Sequence, residues 1–242
     1  MFASRYESKY LVDRQTESQI KEFIYPFVAL DEHINEEADN GYLISSLYLD
    51  SPGHRLMEMT EQGMKNRFKL RIRCYDEIPG SPVFLEVKKK IGGVLTKRRA
   101  PLRRDVAVGF LNGEPLDQLG LETGDREDAE EFLSLMIRTQ AIPMMHVRYK
   151  RQAFNAADGS PIRVTFDREL VFKPAHELEF PINGQGWRDA HMKQTILEIK
   201  FTDRYPSWIK DLIQFFQLQK QSVPKYVISV RENNRLNQSA WG

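Results

Sequence analysis

A single cysteine, Cys74, occurs in the 242 residues, so no intrachain disulfide can form. It falls among the apolar positions of an alternating segment and reads as a small core residue ahead of a reactive thiol. No apolar run approaches the ~20 residues that cross a bilayer. The opening MFASRYESKYLV carries charges where a secretory signal needs an unbroken hydrophobic stretch. These two absences predict a soluble, cytoplasmic chain. An excess of one charge is also missing: 35 Lys and Arg meet 34 Asp and Glu, a formal net charge of +1. Proteins that coat nucleic acid usually carry a strong basic excess, so any basic site here is local and offset elsewhere. The acidic runs that begin at Asp31 and Asp125 supply the offset and read as solvated faces. Repeats, low-complexity tracts and linkers are absent. GGVLTK at 92–97 lacks the Gly-Lys-Ser/Thr ending of a phosphate-binding loop. The histidines (33, 54, 146, 176, 191) show no H-x-x-x-H spacing, and none is expected to be phosphorylated.

What the chain does contain is β-forming sequence. RYESKYLV, YLISSLYLD, RFKLRIRCY, PVFLEVKKK, GVLTKRRAPL, MMHVRYKRQAF, PIRVTFDREL, TILEIKF and KYVISVRE all read as strands. Gly92-Gly93 and Asp158-Gly159 are hairpin turns. Helices are predicted from Thr16, as an N-cap, with Pro26 shortening the helix; over 125–140; and over 206–218, where Trp208, Leu212, Phe215 and Phe216 share a face. With 41% hydrophobic residues there is material for a sizeable core. The reading is α+β, one domain over residues 1–242.

The strands have two unlike faces. In NRFKLRIRCY, Arg67, Lys69, Arg71 and Arg73 alternate with Phe68, Leu70 and Ile72. Glu7 and Lys9 share a face, as do Glu86 and Lys88, and Lys97 and Arg99. Arg163, Thr165 and Asp167 oppose Val164 and Phe166; Glu198 and Lys200 oppose Leu197 and Ile199. A half-buried sheet with its polar side in water accounts for any one of these strands. Exposed strands usually mix in Thr, Ser and Gln, however, and like charges on one face repel. The alternative is a sheet closed into an antiparallel β-tunnel of about eight strands, with helices packed outside and charges inside. Lys9, Arg71, Arg73, Lys88, Lys97, Arg99, Arg163 and Lys225 would then line a lumen with Glu7, Glu86 and Glu198 as the clear counter-charges. Such a lumen calls for a multiply charged anion, and phosphate chains suit Arg forks and Lys point charges. The carboxylates would suit a divalent metal bridging those phosphates.

The ordered run RYESKYLV, ISSLYLDSP, KLRIRCY, FLEVKKK, KRRA, YKRQAF, RVTFDREL, ILEIKF and VPKYVISV, from about Arg5 to Arg231, resembles the VTC domain of the triphosphate tunnel metalloenzyme (CYTH-like) superfamily. That resemblance implies a tunnel of antiparallel strands with a basic, glutamate-bearing interior. By motif, Lys9 matches the first-strand lysine, Arg71 and Arg73 the paired phosphate-clamping arginines, and Lys88 the lysine of the E-x-K strand. Lys97 matches the next basic position, with Arg98 and Arg99 as competitors. Arg151 and Arg163 match two further phosphate-binding arginines, Glu198 the metal-binding glutamate and Lys225 the closing lysine. Arg5 replaces the first acid of the superfamily's E-x-E-x-K opening, which resembles the VTC branch and not the thiamine-triphosphatase or adenylate-cyclase branches.

The resemblance implies phosphoryl transfer from the γ-phosphate of ATP to a growing polyphosphate, with Lys9, Arg71, Arg73, Lys88 and Glu198 catalytic. It further implies a divalent cofactor, Mn2+ or Mg2+, at Glu198 with Glu7 or Glu86. Expected partners are ATP, tripolyphosphate or polyphosphate and not nucleic acid; a membrane-protein partner is left open. A triphosphatase uses the same residues with water as acceptor, and a non-catalytic polyphosphate-binding module is the third reading.

Overall fold

The computed structural model describes residues 5–32, 41–115, 123–202 and 205–239, with the side chains of Arg5 and Thr123 outside the description. His33 and most of the first acidic run therefore lie outside the described residues. The chain divides into two compact units, each assembled from three segments: 1–43, 149–170 and 191–223 form the first, and 44–148, 171–190 and 224–242 the second.

The first unit holds β1 (Arg5–Val12), α1 (Arg14–Ile24), β2 (Val28–Leu30), most of β7 (Ile142–Ala156) and β8 (Arg163–Pro174), β10 (Thr195–Thr202) and α5 (Ser207–Phe215). Its strands run in the order β1-β10-β8-β7, with β2 beside β7. Tyr10, Val164, Phe166, Leu197 and Ile199 pack with Ile20 and Ile24 of α1 and Ile209 and Leu212 of α5. The helices thus cover the apolar face, which leaves the charged face on the other side of the strands. Pro26 ends α1 as expected, turning Tyr25–Phe27 into a short 3₁₀ segment. The N-cap is Asp13, not Thr16: the Thr16 backbone N–H donates to Asp13 Oδ1 at 2.7 Å.

The second unit contains β3 (Tyr42–Asp50), α2 (Arg55–Glu61), β4 (Arg67–Cys74), β5 (Pro82–Ile91), β6 (Val94–Arg103), α3 (Arg104–Leu111), α4 (Thr123–Arg138), β9 (Arg188–Asp189) and α6 (Lys225–Ser239). Here the order is β7-β3-β4-β5-β6, with β9 on β8. Every ladder with a described register is antiparallel. Eight strands thus lie on the main path and two short ones beside it, so the α+β reading holds. Gly92 and Gly93, with φ of 56° and 92°, make the tight β5–β6 turn that only glycine enters freely.

KYVISVRE is not a strand. Lys225 opens α6, which buries Tyr226, Val227 and Val230. That i, i+1, i+4 set is one helical stripe, and the short β-branched run hid it. The helices α2 and α3 were not anticipated either. The acidic run from Asp125 is not simply solvated: α4 lies on β5 and β6, where Glu131 pairs with Lys89 and Asp128 with Arg98 at 2.8 Å. No described helix is long and apolar enough to cross a membrane.

Candidate functional site

Register sets the charge pattern. Across β3, β4, β5 and β6 the residues Tyr48, Arg71, Glu86 and Arg99 stand side by side. One pleat along, Lys69, Lys88 and Lys97 form a second row. Three lysines directly opposite one another repel, and a sheet carries such a row only with anions nearby. In the first row, Glu86 is 1% exposed and gathers Arg71 Nε at 2.6 Å, Lys97 Nζ at 2.6 Å, Arg99 Nε at 3.6 Å and Arg73 Nε at 4.0 Å. Burial works to raise its pKa, yet Arg71, Arg73 and Lys97 outweigh it and hold the carboxyl well below the usual range. Lys97 shows the other side of this crowding. Burial and the neighbouring Arg71 and Arg73 pull its ammonium down to about 8 despite Glu86.

The register also separates the competing cations of KRRA. Arg98 lies on the opposite face, tied to Asp128 and Glu131 of α4. Lys97 and Arg99 share the face of Arg71, and Arg99 additionally stacks over Phe84 at 3.6 Å. Lys225 is buried in the first turn of α6, a position where the helix dipole disfavours a cation.

The first unit is balanced. Lys9 pairs in register with Glu198, and Glu7 with Lys200, giving alternating signs. Lys9 Nζ lies 2.9 Å from Glu7 and 3.6 Å from Glu198; Lys200 Nζ lies 2.7 Å from Glu198. Burial opposes the charge on Lys9, but Glu198 and Glu7 overcome it and keep the ammonium firmly protonated. Two acids that sequence reasoning passed over as counter-charges sit here. Asp167 takes a two-pronged grip from Arg151, 2.6 Å from Nε and 2.8 Å from Nη2, both residues buried. Asp31, read as part of a solvated run, is buried and holds Arg163 at 2.5 Å. The strand signal for Asp167 was present in RVTFD, on the face of Arg163; Asp31 lay in a loop and gave none.

Arg151 and Arg163 are therefore each compensated by their own acid. Removing one half of such a buried pair is costly: Asp167→Ala is expected to lower stability by about 3–5 kcal/mol, read from chemical denaturation. An unchanged midpoint would show that Arg151 does not depend on Asp167.

A family model for the VTC domain matches residues 4–233. The chain belongs to the VTC domain family. No curated protein sequence matches it. Among solved structures, a provisionally assigned adenylate cyclase from Bacillus halodurans has TM-score 0.51 at 16% identity, covering 93% of this chain and 96% of that one. This likeness concerns the fold. A second provisionally assigned adenylate cyclase, from Vibrio parahaemolyticus, gives 0.44 at 12% identity with 94% and 98% covered. A Pyrococcus horikoshii protein gives 0.46 at 12% identity with 95% and 99% covered. Membership in the VTC domain family supports a role in binding and transferring phosphoryl groups.

In this VTC domain Glu7 and Glu198 both reach Lys9 in the first unit. Among the described residues no group of three or more His, Cys, Asp or Glu could hold a metal ion. The carboxylate oxygens of Glu7 and Glu198 are of the type hard divalent ions take, so these would be the residues to hold Mg2+ or Mn2+, beside the ammonium groups of Lys9 and Lys200. Glu86, the third carboxylate read as a metal candidate, has four cations around it.

Proposed function

We propose that this VTC domain, taken as a single domain over the whole chain, is a metal-dependent phosphotransferase. It makes polyphosphate from the γ-phosphate of ATP, held in the closed antiparallel tunnel that the family resemblance implies. The observation that carries this reading is the ring of Arg71, Arg73, Lys97 and Arg99 about one buried carboxylate, flanked by the Lys69–Lys88–Lys97 row. A phosphate chain supplies the negative charge that such a face needs.

In this proposal Arg71, Arg73, Arg99, Lys88 and Lys97 bind phosphate oxygens in the second unit, with Lys225 closing on them. Lys9 binds phosphate in the first unit. Arg151 and Arg163 orient the site through Asp167 and Asp31 and offer only their remaining N–H groups. Glu198 and Glu7 would hold Mn2+ or Mg2+, which neutralises charge on the reacting phosphates when bound. The cations keep donor and acceptor in line, and no covalent nucleophile on the protein is needed.

Phosphorus NMR of products from ATP and Mn2+ tests the reaction. Long chains are expected; orthophosphate alone would make the protein a triphosphatase, and no product with tight binding would make it a polyphosphate-binding module. A pH series adds a second expectation. Lys97 loses its proton as pH rises through about 8, so tripolyphosphate affinity should fall there. Lys97→Arg should flatten that fall in calorimetric titration, and a profile identical to wild type would remove Lys97 from the site.

A further inference from the structure

Tyr48 stands next to Arg71 in register, on the cation-bearing face of β3 and β4. Its hydroxyl oxygen accepts a hydrogen bond from Arg71 Nη1 at 3.2 Å. Its ring lies on that of Tyr226, centroids 5.0 Å apart and planes within 9°. The Tyr226 hydroxyl donates to Asp50 Oδ2 at 3.1 Å. Asp50 is fixed in turn by the backbone N–H groups of Ser51, Leu56 and Met57 at 2.7, 2.8 and 2.9 Å. The carboxylate thus anchors Tyr226, and Tyr226 clamps the Tyr48 ring. With its oxygen accepting from Arg71, the Tyr48 hydroxyl still has its own proton to give. Among the described residues that proton has no acceptor, although the side chain is buried beside a guanidinium.

Resting on the phosphate reading above, we infer that Tyr48 is a further phosphate-binding residue: its O–H donates to an oxygen of the same phosphate group that Arg71 holds. A phosphate oxygen is an acceptor at the right place, and a phenol adds a donor without adding charge to a face already crowded with cations. Tyr226 and Asp50 position the donor and do not touch the phosphate.

The phenol carries a second mark. Burial favours its neutral form, but Arg71, Lys69 and Arg73 outweigh burial and bring its ionisation down to about 8. Tyr226, stacked on the ring, is held neutral to high pH by burial and Asp50 and also faces His54, while Glu86 bears on the phenol through Arg71, which it binds. A phosphate at Arg71 would favour the protonated phenol.

The test is calorimetry with tripolyphosphate on wild type, Tyr48→Phe and, as a reference, Arg71→Ala, together with tyrosinate absorbance across pH. The Phe ring keeps the stack on Tyr226. Tyr48→Phe is expected to weaken binding about ten-fold, the scale of one hydrogen bond to a charged group. Wild type should show a tyrosine ionising near pH 8 that Tyr48→Phe lacks and that saturating tripolyphosphate moves upward. Unchanged affinity in Tyr48→Phe, or a wild-type titration indifferent to tripolyphosphate while Arg71→Ala loses binding, overturns the Tyr48 inference alone. Absence of binding by wild type overturns the phosphate reading and this inference with it. A wild-type titration indifferent to tripolyphosphate that binds overturns the inference even where Tyr48→Phe fails to fold.

Discussion

Glu86→Ala is expected to cost about 3 kcal/mol of stability, because buried Arg73 and partly buried Arg71 would then lie beside Lys97 and Arg99 without the carboxylate that gathers them. The same loss should be partly recovered by tripolyphosphate. A ligand present at 100 times its Kd adds about 2.7 kcal/mol to any folded state it binds. The expected result is a large drop in Tm in plain buffer and a larger upward shift on adding the anion than wild type shows. The pH dependence carries the same sign. With its pKa lowered in the folded state, Glu86 contributes fully above the ordinary carboxylate range and loses that contribution only as pH falls well below it. A Glu86→Ala protein as stable as wild type, with no extra response to tripolyphosphate, would show that the four cations do not need this carboxylate.

Glu198→Ala should have the largest effect on turnover. A divalent ion stabilises a phosphoryl-transfer transition state by several kcal/mol, and each 1.36 kcal/mol is a factor of ten, so a fall of about 10²–10³-fold is expected. Glu198 also separates Lys9 from Lys200 on its strand face, so a moderate loss of stability accompanies the change. Titration of Mn2+ in the presence of tripolyphosphate distinguishes the two effects: metal affinity should drop in Glu198→Ala and persist in Lys200→Ala. Undiminished metal-dependent turnover in Glu198→Ala would remove the residue from the mechanism.

The strands and their faces were legible because period two is a local signal. Arg71, Glu86 and Arg99 could be placed on one face from alternation alone, and the register then put them in a single row. Helices α1, α4 and α5 were legible through their apolar spacing and α1 through Pro26, although α1 takes Asp13 as its cap. What stayed hidden was long-range. Nothing near Asp31 in sequence announces Arg163, which lies far along the chain. Nor does the local pattern of KYVISV distinguish a strand from a helix: four of its six residues are β-branched or aromatic, and only burial against the rest of the unit decides. Tyr48 looked like one more β-former in YLISSLYLD. Its chemistry comes from Arg71 on one side and Tyr226, at the far end of the chain, on the other.

Because each unit is stitched from three separated segments, the order of synthesis matters. The first unit lacks its last piece until residue 223 has left the ribosome, and the second until α6 has followed it. Neither can be harvested as a contiguous fragment, and a nascent chain stalled before Lys225 would present the Arg71 face without the tyrosine that clamps Tyr48.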